Sequence, residues 1–157
     1  MKIFELPSEH GHLRGAIWDN VENPKGTIQI AHGLVEYHDR YDEFAKFLNE
    51  HGYIVYCNDH LGHGLHVKKG ELKGYFANEN GYEAVVDQLA EMNSVIRKAH
   101  PSLNHFFIGH SLGTALGLSF LKRNISFEAV ILSAPFTNHD FILFLFGILV
   151  WPEYKFQ

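Results

Sequence analysis

The sequence predicts an α/β fold: a mostly parallel sheet with helices on both faces. Four apolar runs, GTIQIAH, YIVYCND, HFFIGH and EAVILSA, have the length and the β-branched or aromatic content of strands buried on both faces. The segments between them repeat apolar residues at helical spacing, and strands alternating with helices imply right-handed crossovers. The length of 157 residues fits one domain with one core.

Each element follows from local pattern. KIFELP and LRGAIWD are short, partly alternating runs separated by SEHGH, which reads as a strand pair ahead of the first long strand. After GTIQIAH, residues Tyr41, Phe44, Ala45, Phe47 and Leu48 recur at helical spacing, and Gly52 is a natural stop. YIVYCND is the next strand. Tyr82, Val85, Val86, Leu89, Asn93 and Ile96 then mark a second helix with one polar interruption, ended by His100-Pro101. A third helix begins at Ser111 and runs through Leu112, Leu116 and Phe120 towards Asn124, before EAVILSA.

Composition narrows the function. The formal net charge is −5, and no basic cluster exceeds the Lys68-Lys69 pair, so a nucleic-acid partner is not expected. The single Cys57 has no disulfide partner and the first residues lack a signal-peptide core, which reads as cytoplasmic. Phe141 to Trp151, FILFLFGILVW, covers only about half of a roughly 30 Å hydrocarbon core as helix. It is expected to be a buried or lid helix, with transient contact to a lipid surface as the second reading.

In open α/β sheets ligands bind beyond the carboxyl ends of the strands. Those ends read AHGLVE, NDHLGHG, GHSLG and SAPFTNH. Ser111 stands between Gly109 and Gly113, with His110 and Leu112 beside it, where a strand turns sharply into a helix. This is the pattern of a nucleophile elbow, in which flanking glycines let strand and helix approach and the serine backbone is strained. The N–H of Leu112 then faces the position of an oxyanion. A second donor is expected from the loop after GTIQIAH, and the N–H of Leu34 is the candidate. Gly33 permits the tight turn there, and His32 is expected to be a buried hydrogen-bonding residue rather than a base.

AHGLVEYHDRY, NDHLGHG and IGHSLG, in this order with helices between them, resemble the α/β-hydrolase family of monoacylglycerol lipases and lysophospholipases, grouped with serine aminopeptidase-like hydrolases. The resemblance covers residues 10 to 135. It implies the α/β-hydrolase fold and a serine esterase that acts on a fatty-acyl monoester without a cofactor. Ser111 would be the nucleophile, and the Leu34 and Leu112 N–H groups the oxyanion hole. Two departures stand out: Tyr37 where the family commonly has histidine, and Thr114 where a second glycine is frequent. They bear on acyl preference more than on class.

The chain has 12 histidines, yet His60, His63 and His66 are spread across Gly62 and Gly64, which disfavours a shared helical face, and no metal site is expected. Asp59 is expected to fasten its loop by accepting backbone N–H groups. In this fold the triad runs serine, acid, histidine. After Ser111 the acids are Glu128, Asp140 and Glu153, and the one histidine, His139, precedes Asp140. Glu128 starts a strand and so lies at the wrong end of the sheet. The resemblance implies further strands that carry the acid and the base, with a lid before them. The expectation is therefore residues 1–135 as the N-terminal portion of a hydrolase core, residues 136–157 as the start of a lid, and a weakly active or inactive fragment whose last strand is an exposed edge. A non-catalytic acyl-binding or interaction module, and one part of a split enzyme, are the alternatives.

Overall fold

The computed structural model describes residues 1–67 and 72–135. Strands β1 (Lys2–Ser8), β2 (Gly11–Trp18), β3 (Gly26–Ala31), β4 (Tyr53–Asn58), β5 (Asn104–His110) and β6 (Ala129–Ser133) form one sheet in the order β1-β2-β4-β3-β5-β6. The first pair is an antiparallel hairpin, and β2 joins β4 antiparallel. The β4/β3, β3/β5 and β5/β6 pairs are parallel. Helices α1 (Asp42–Glu50), α2 (Gly81–Ala99) and α3 (Leu112–Leu121) connect them, so six strands and three helices appear in the predicted order. The expected lid at 136–157, the Phe141–Trp151 segment and Lys68-Lys69 lie outside the described residues.

Alternation along the strands feeds two separate cores, because successive side chains point to opposite faces. Ile28, Ile30, Val55, Cys57 and Ile108 pack with Trp18 and with Ala45 of α1 on one face. On the other face Ala31 and Phe107 meet Val85, Val86 and Leu89 of α2 and Leu116 and Phe120 of α3. Leu13, Ile54 and Tyr56 pack on that face against Met92 and Ile96 farther along α2. Gln29, buried there, donates to the Leu89 carbonyl at 2.9 Å and accepts from Asn93 at 3.1 Å.

Two elements depart from expectation. Tyr41, just before α1, and Ala45 and Leu48 on it reach the sheet, whereas Phe44 and Phe47 are 41% and 50% exposed. At 3.6 residues per turn Phe47 lies about 200° round from Ala45, so the stripe is narrower than the apolar count suggests. Strand β6 is not buried on both faces. Val130 and Leu132 face the α3 side, while Ala129, Ile131 and Ser133 are exposed on the α1 side. Among the described residues β6 pairs with β5 alone and has no helix over its α1-side face.

Strands β4 and β5 lie on opposite sides of β3, with α1 on one face of the sheet and α2 and α3 on the other. The winding therefore reverses at β3, and a crevice forms beyond the carboxyl ends of β3 and β5. His32 to Glu36 and His110 to Gly113 meet there.

Candidate active site

Ser111 joins β5 to α3 with φ 49° and ψ −115°, outside the regions that L-residues ordinarily populate. Such strain costs on the order of 1–3 kcal/mol and persists only where surrounding contacts enforce it. Those contacts are visible. The Ser111 N–H donates to the Ser133 carbonyl at 3.0 Å, which ties the elbow to β6. The Ser111 carbonyl accepts from the Thr114 N–H at 2.9 Å and from the Thr114 hydroxyl at 2.7 Å. Thr114, one of the two departures from the family pattern, is fully buried and fastens the first turn of α3. Thr114→Val, which keeps the shape and removes one donor, is expected to lower stability by about 1 kcal/mol, read as a shift in urea midpoint with unchanged slope.

The flanking glycines are set by backbone contact. A Cβ at Gly113 would stand 2.0 Å from the Ala31 carbonyl oxygen, and one at Gly109 2.5 Å from the Gly113 carbonyl oxygen. Helix α3 thus crosses directly over the end of β3, which brings the elbow against the turn at residues 32–36. Leu112 is the first residue of α3, where an N–H has no intrahelical acceptor. Neither the Leu112 nor the Leu34 N–H donates to any group among the described residues.

The Leu34 N–H shares a peptide plane with the Gly33 carbonyl, so whatever holds that carbonyl aims the N–H. His32 Nδ1 lies 2.7 Å from it, and His32 Nε2 accepts the His60 N–H at 2.9 Å. Acceptance at Nε2 leaves the proton on Nδ1, which donates to Gly33. Burial moves the His32 pKa down to about 4, so the ring is neutral and suited to this bridging role. The His60 ring stacks on it with centroids 3.8 Å apart, and His60 Nε2 donates to the His32 carbonyl at 3.0 Å. Burial likewise pushes His60 well below the usual imidazole range. His63 Nε2 contacts the Leu34 carbonyl, and its Nδ1 lies 2.9 Å from the Leu61 carbonyl. These histidines are structural ties between the loops after β3 and β4.

Asp59 receives the His38 and Leu65 N–H groups, each at 2.8 Å, and the His38 ring at 2.9 Å from both carboxylate oxygens. It fastens the loop, as its position at a strand end suggested; the pairing with His38 was not anticipated. Glu36, also missed, accepts the Gly33 N–H at 3.0 Å and the Tyr41 hydroxyl at 2.7 Å. A cavity of about 910 Å³ opens beside this turn. Leu34, Tyr37, His38 and His63 line it but Ser111 and Leu112 do not, so it adjoins the serine site rather than forming it.

Among the described residues no histidine nitrogen lies within hydrogen-bond distance of the Ser111 hydroxyl; the neighbouring His110 ring lies instead 3.4 Å from Ser133 Oγ. Glu128 donates its N–H to the His105 carbonyl at the amino end of the sheet, far from the elbow. His139, Asp140 and Glu153 lie outside the described residues.

A family model, Hydrolase_4, described as serine aminopeptidase, S33, matches residues 22–151. The chain is 28% identical over 146 residues to the monoglyceride lipase homolog of Monkeypox virus, covering 88% of this chain and 48% of that one. It is 30% identical over 119 residues to the monoglyceride lipase of Rattus norvegicus, covering 75% and 37%. A thermostable carboxyl esterase from Bacillus coagulans, solved in complex with glycerol, superposes with TM-score 0.71 at 22% identity over 97% of this chain and 51% of that one. The chain thus spans less than half the length of the two lipase relatives it matches.

Proposed function

The chain belongs to the serine aminopeptidase, S33, family of α/β hydrolases, and on that premise we propose that it is a monoacylglycerol lipase-type carboxylic ester hydrolase that works through Ser111. The observation that carries this reading is the strained Ser111 at the strand-to-helix turn, packed against a turn whose Leu34 N–H donates to no group among the described residues. The Ser111 oxygen attacks the acyl carbonyl of a fatty-acyl monoester and its proton passes to a base. The carbonyl oxygen becomes an oxyanion held by the Leu34 and Leu112 N–H groups, each worth roughly 3 kcal/mol to the transition state. Collapse breaks the ester C–O bond, and the leaving alkoxide takes the proton back from the base and departs as the alcohol. Water, giving a proton to the same base, then hydrolyses the acyl-serine to release the fatty acid and restore the serine hydroxyl. The base belongs to no described residue, so the reading assigns this part of the chain nucleophile and oxyanion stabilisation alone.

The substrate in this reading is a small lipid ester, and the compartment is the cytoplasm, in keeping with a buried, unpaired Cys57. No helix among the described residues is long and apolar enough to cross a membrane. Contact with a lipid surface is assigned to the segment after residue 135.

Because no described residue supplies the base, incubation with p-nitrophenyl butyrate is expected to release nitrophenolate only slowly, and to leave a butyryl group on Ser111 that peptide mass spectrometry locates. Ser111→Ala is expected to fall to the buffer rate and to carry no label. Equal turnover by both proteins would sink the proposal. The absence of a described base near the Ser111 hydroxyl favours one second reading, an acyl-binding module. Saturable binding of a monoacylglycerol with no acylation of Ser111 would identify it.

A further inference from the structure

We propose that Glu36 is the positioning residue that keeps the two oxyanion donors in register, by holding the turn that carries Leu34 against the elbow that carries Leu112. This rests on the ester-hydrolase reading above. One carboxylate reaches three segments. Its Oε2 accepts the Gly33 N–H at 3.0 Å, closing the turn, and the hydroxyl of Tyr41 at the entrance to α1 at 2.7 Å. Its Oε1 lies 2.8 Å from Arg40 Nε and 3.6 Å from Nε2 of His110, the residue before Ser111.

The side chain is only 7% exposed, so these contacts are shielded from water while Arg40 covers the outside. Burial by itself raises the Glu36 pKa, but the Tyr41 hydroxyl and the Gly33 N–H outweigh it and keep the carboxyl below its usual value. An ionised acceptor makes the stronger bond to Gly33.

Gly33 is held from both sides. Glu36 fixes the peptide before it, and the His32 ring fixes the peptide after it through the Gly33 carbonyl. With both planes set, the Leu34 N–H has one direction available. A Cβ at Gly33 would meet the Glu36 carboxylate at 3.1 Å and the His110 ring at 3.4 Å, so the glycine is what lets the clamp close on the elbow.

The test compares wild type, Glu36→Ala and Glu36→Gln in the full chain by amide NMR at Gly33 and Leu34 and by the rate of Ser111 acylation with p-nitrophenyl butyrate. Loss of one charge-assisted hydrogen bond predicts Gly33 amide exchange about tenfold faster in Glu36→Ala, with acylation reduced by about tenfold or more. Glu36→Gln retains a neutral acceptor and is expected to restore most of the acylation while the Gly33 proton moves upfield. A purely structural side chain would change melting temperature in both variants without this ordering. An unchanged Gly33 signal, or acylation equally slow in both variants, overturns the proposal. If Glu36→Ala does not fold, the Gly33 shift in Glu36→Gln decides it. If wild type shows no acylation, the ester-hydrolase reading gives way to the acyl-binding one for this chain, while the Gly33 measurement still judges the clamp.

Discussion

Gly113→Ala is expected to lower stability by roughly 3 kcal/mol or more, or to prevent folding, and to abolish any reaction at Ser111. The direction is opposite to helix propensity, since alanine is favoured over glycine inside a helix by about 1 kcal/mol. What decides the sign is the neighbour. The new methyl would stand 2.0 Å from the Ala31 oxygen, 2.6 Å from its carbonyl carbon and 2.9 Å from the His32 oxygen, all backbone atoms of β3 and the turn that follows it. They cannot rotate away, so α3 would have to withdraw from the sheet and carry Ser111 and Leu112 with it. Gly117 lies one turn further along the same helix, where the nearest obstacle, at 2.5 Å, is the Phe107 ring. A side chain gives way more cheaply, and Gly117→Ala is expected to cost less. Urea denaturation of the two variants checks the order; a Gly113→Ala protein as stable as wild type would contradict the close crossing.

The fold was legible because its signals are local. Each long strand is a short apolar run, and each helix repeats at 3.6 residues. The reversal at β3 follows from which neighbours pair, yet even without it the carboxyl ends could be read as the functional edge. Ser111 was legible for the same reason, as the elbow is encoded within five consecutive residues. The supports around it were not. Asp59 meets His38 across 21 positions and His63 meets Leu34 across 29, and no periodicity links such pairs. His32 illustrates the halfway case. Its burial was readable from its place after an apolar strand, but its role in aiming the Leu34 N–H depends on the His60 N–H from another loop. Glu36 sits within the same turn as Gly33, three residues away, and a carboxylate at that spacing in a polar loop was a usable sign of a side-chain to backbone closure.

Asp59→Ala is expected to cost about 3–5 kcal/mol, because it strips the buried His38 ring of its inner carboxylate partner and leaves the buried His38 N–H and the part-buried Leu65 N–H without an acceptor. For a domain of this size that is a fall in Tm of about 10 °C or more. The pair also sets a pH window. Burial lowers the affinity of His38 for its proton, but the hydrogen bond and charge of Asp59, with Asp39 at 3.1 Å on the other ring nitrogen, carry its pKa above the ordinary 6.5. Burial raises Asp59, but His38 and the Leu65 N–H bring it below the ordinary 3.8. The His38 contribution is full below 6.5 and fades as pH rises through its raised folded value. The Asp59 contribution is full above 3.8 and fades as pH falls through its lowered folded value. The charged pair therefore stabilises most between those limits. Asp59→Asn, which retains one acceptor and loses the charge, should differ from wild type most at about pH 5 and less at about pH 9, where neutral His38 can still donate to the carboxylate. Urea unfolding of both proteins at the two pH values measures this. A stability gap that widens towards alkaline pH would mean that the His38 ring is neutral in the folded chain, and that Asp59 acts on the loop through its N–H bonds alone.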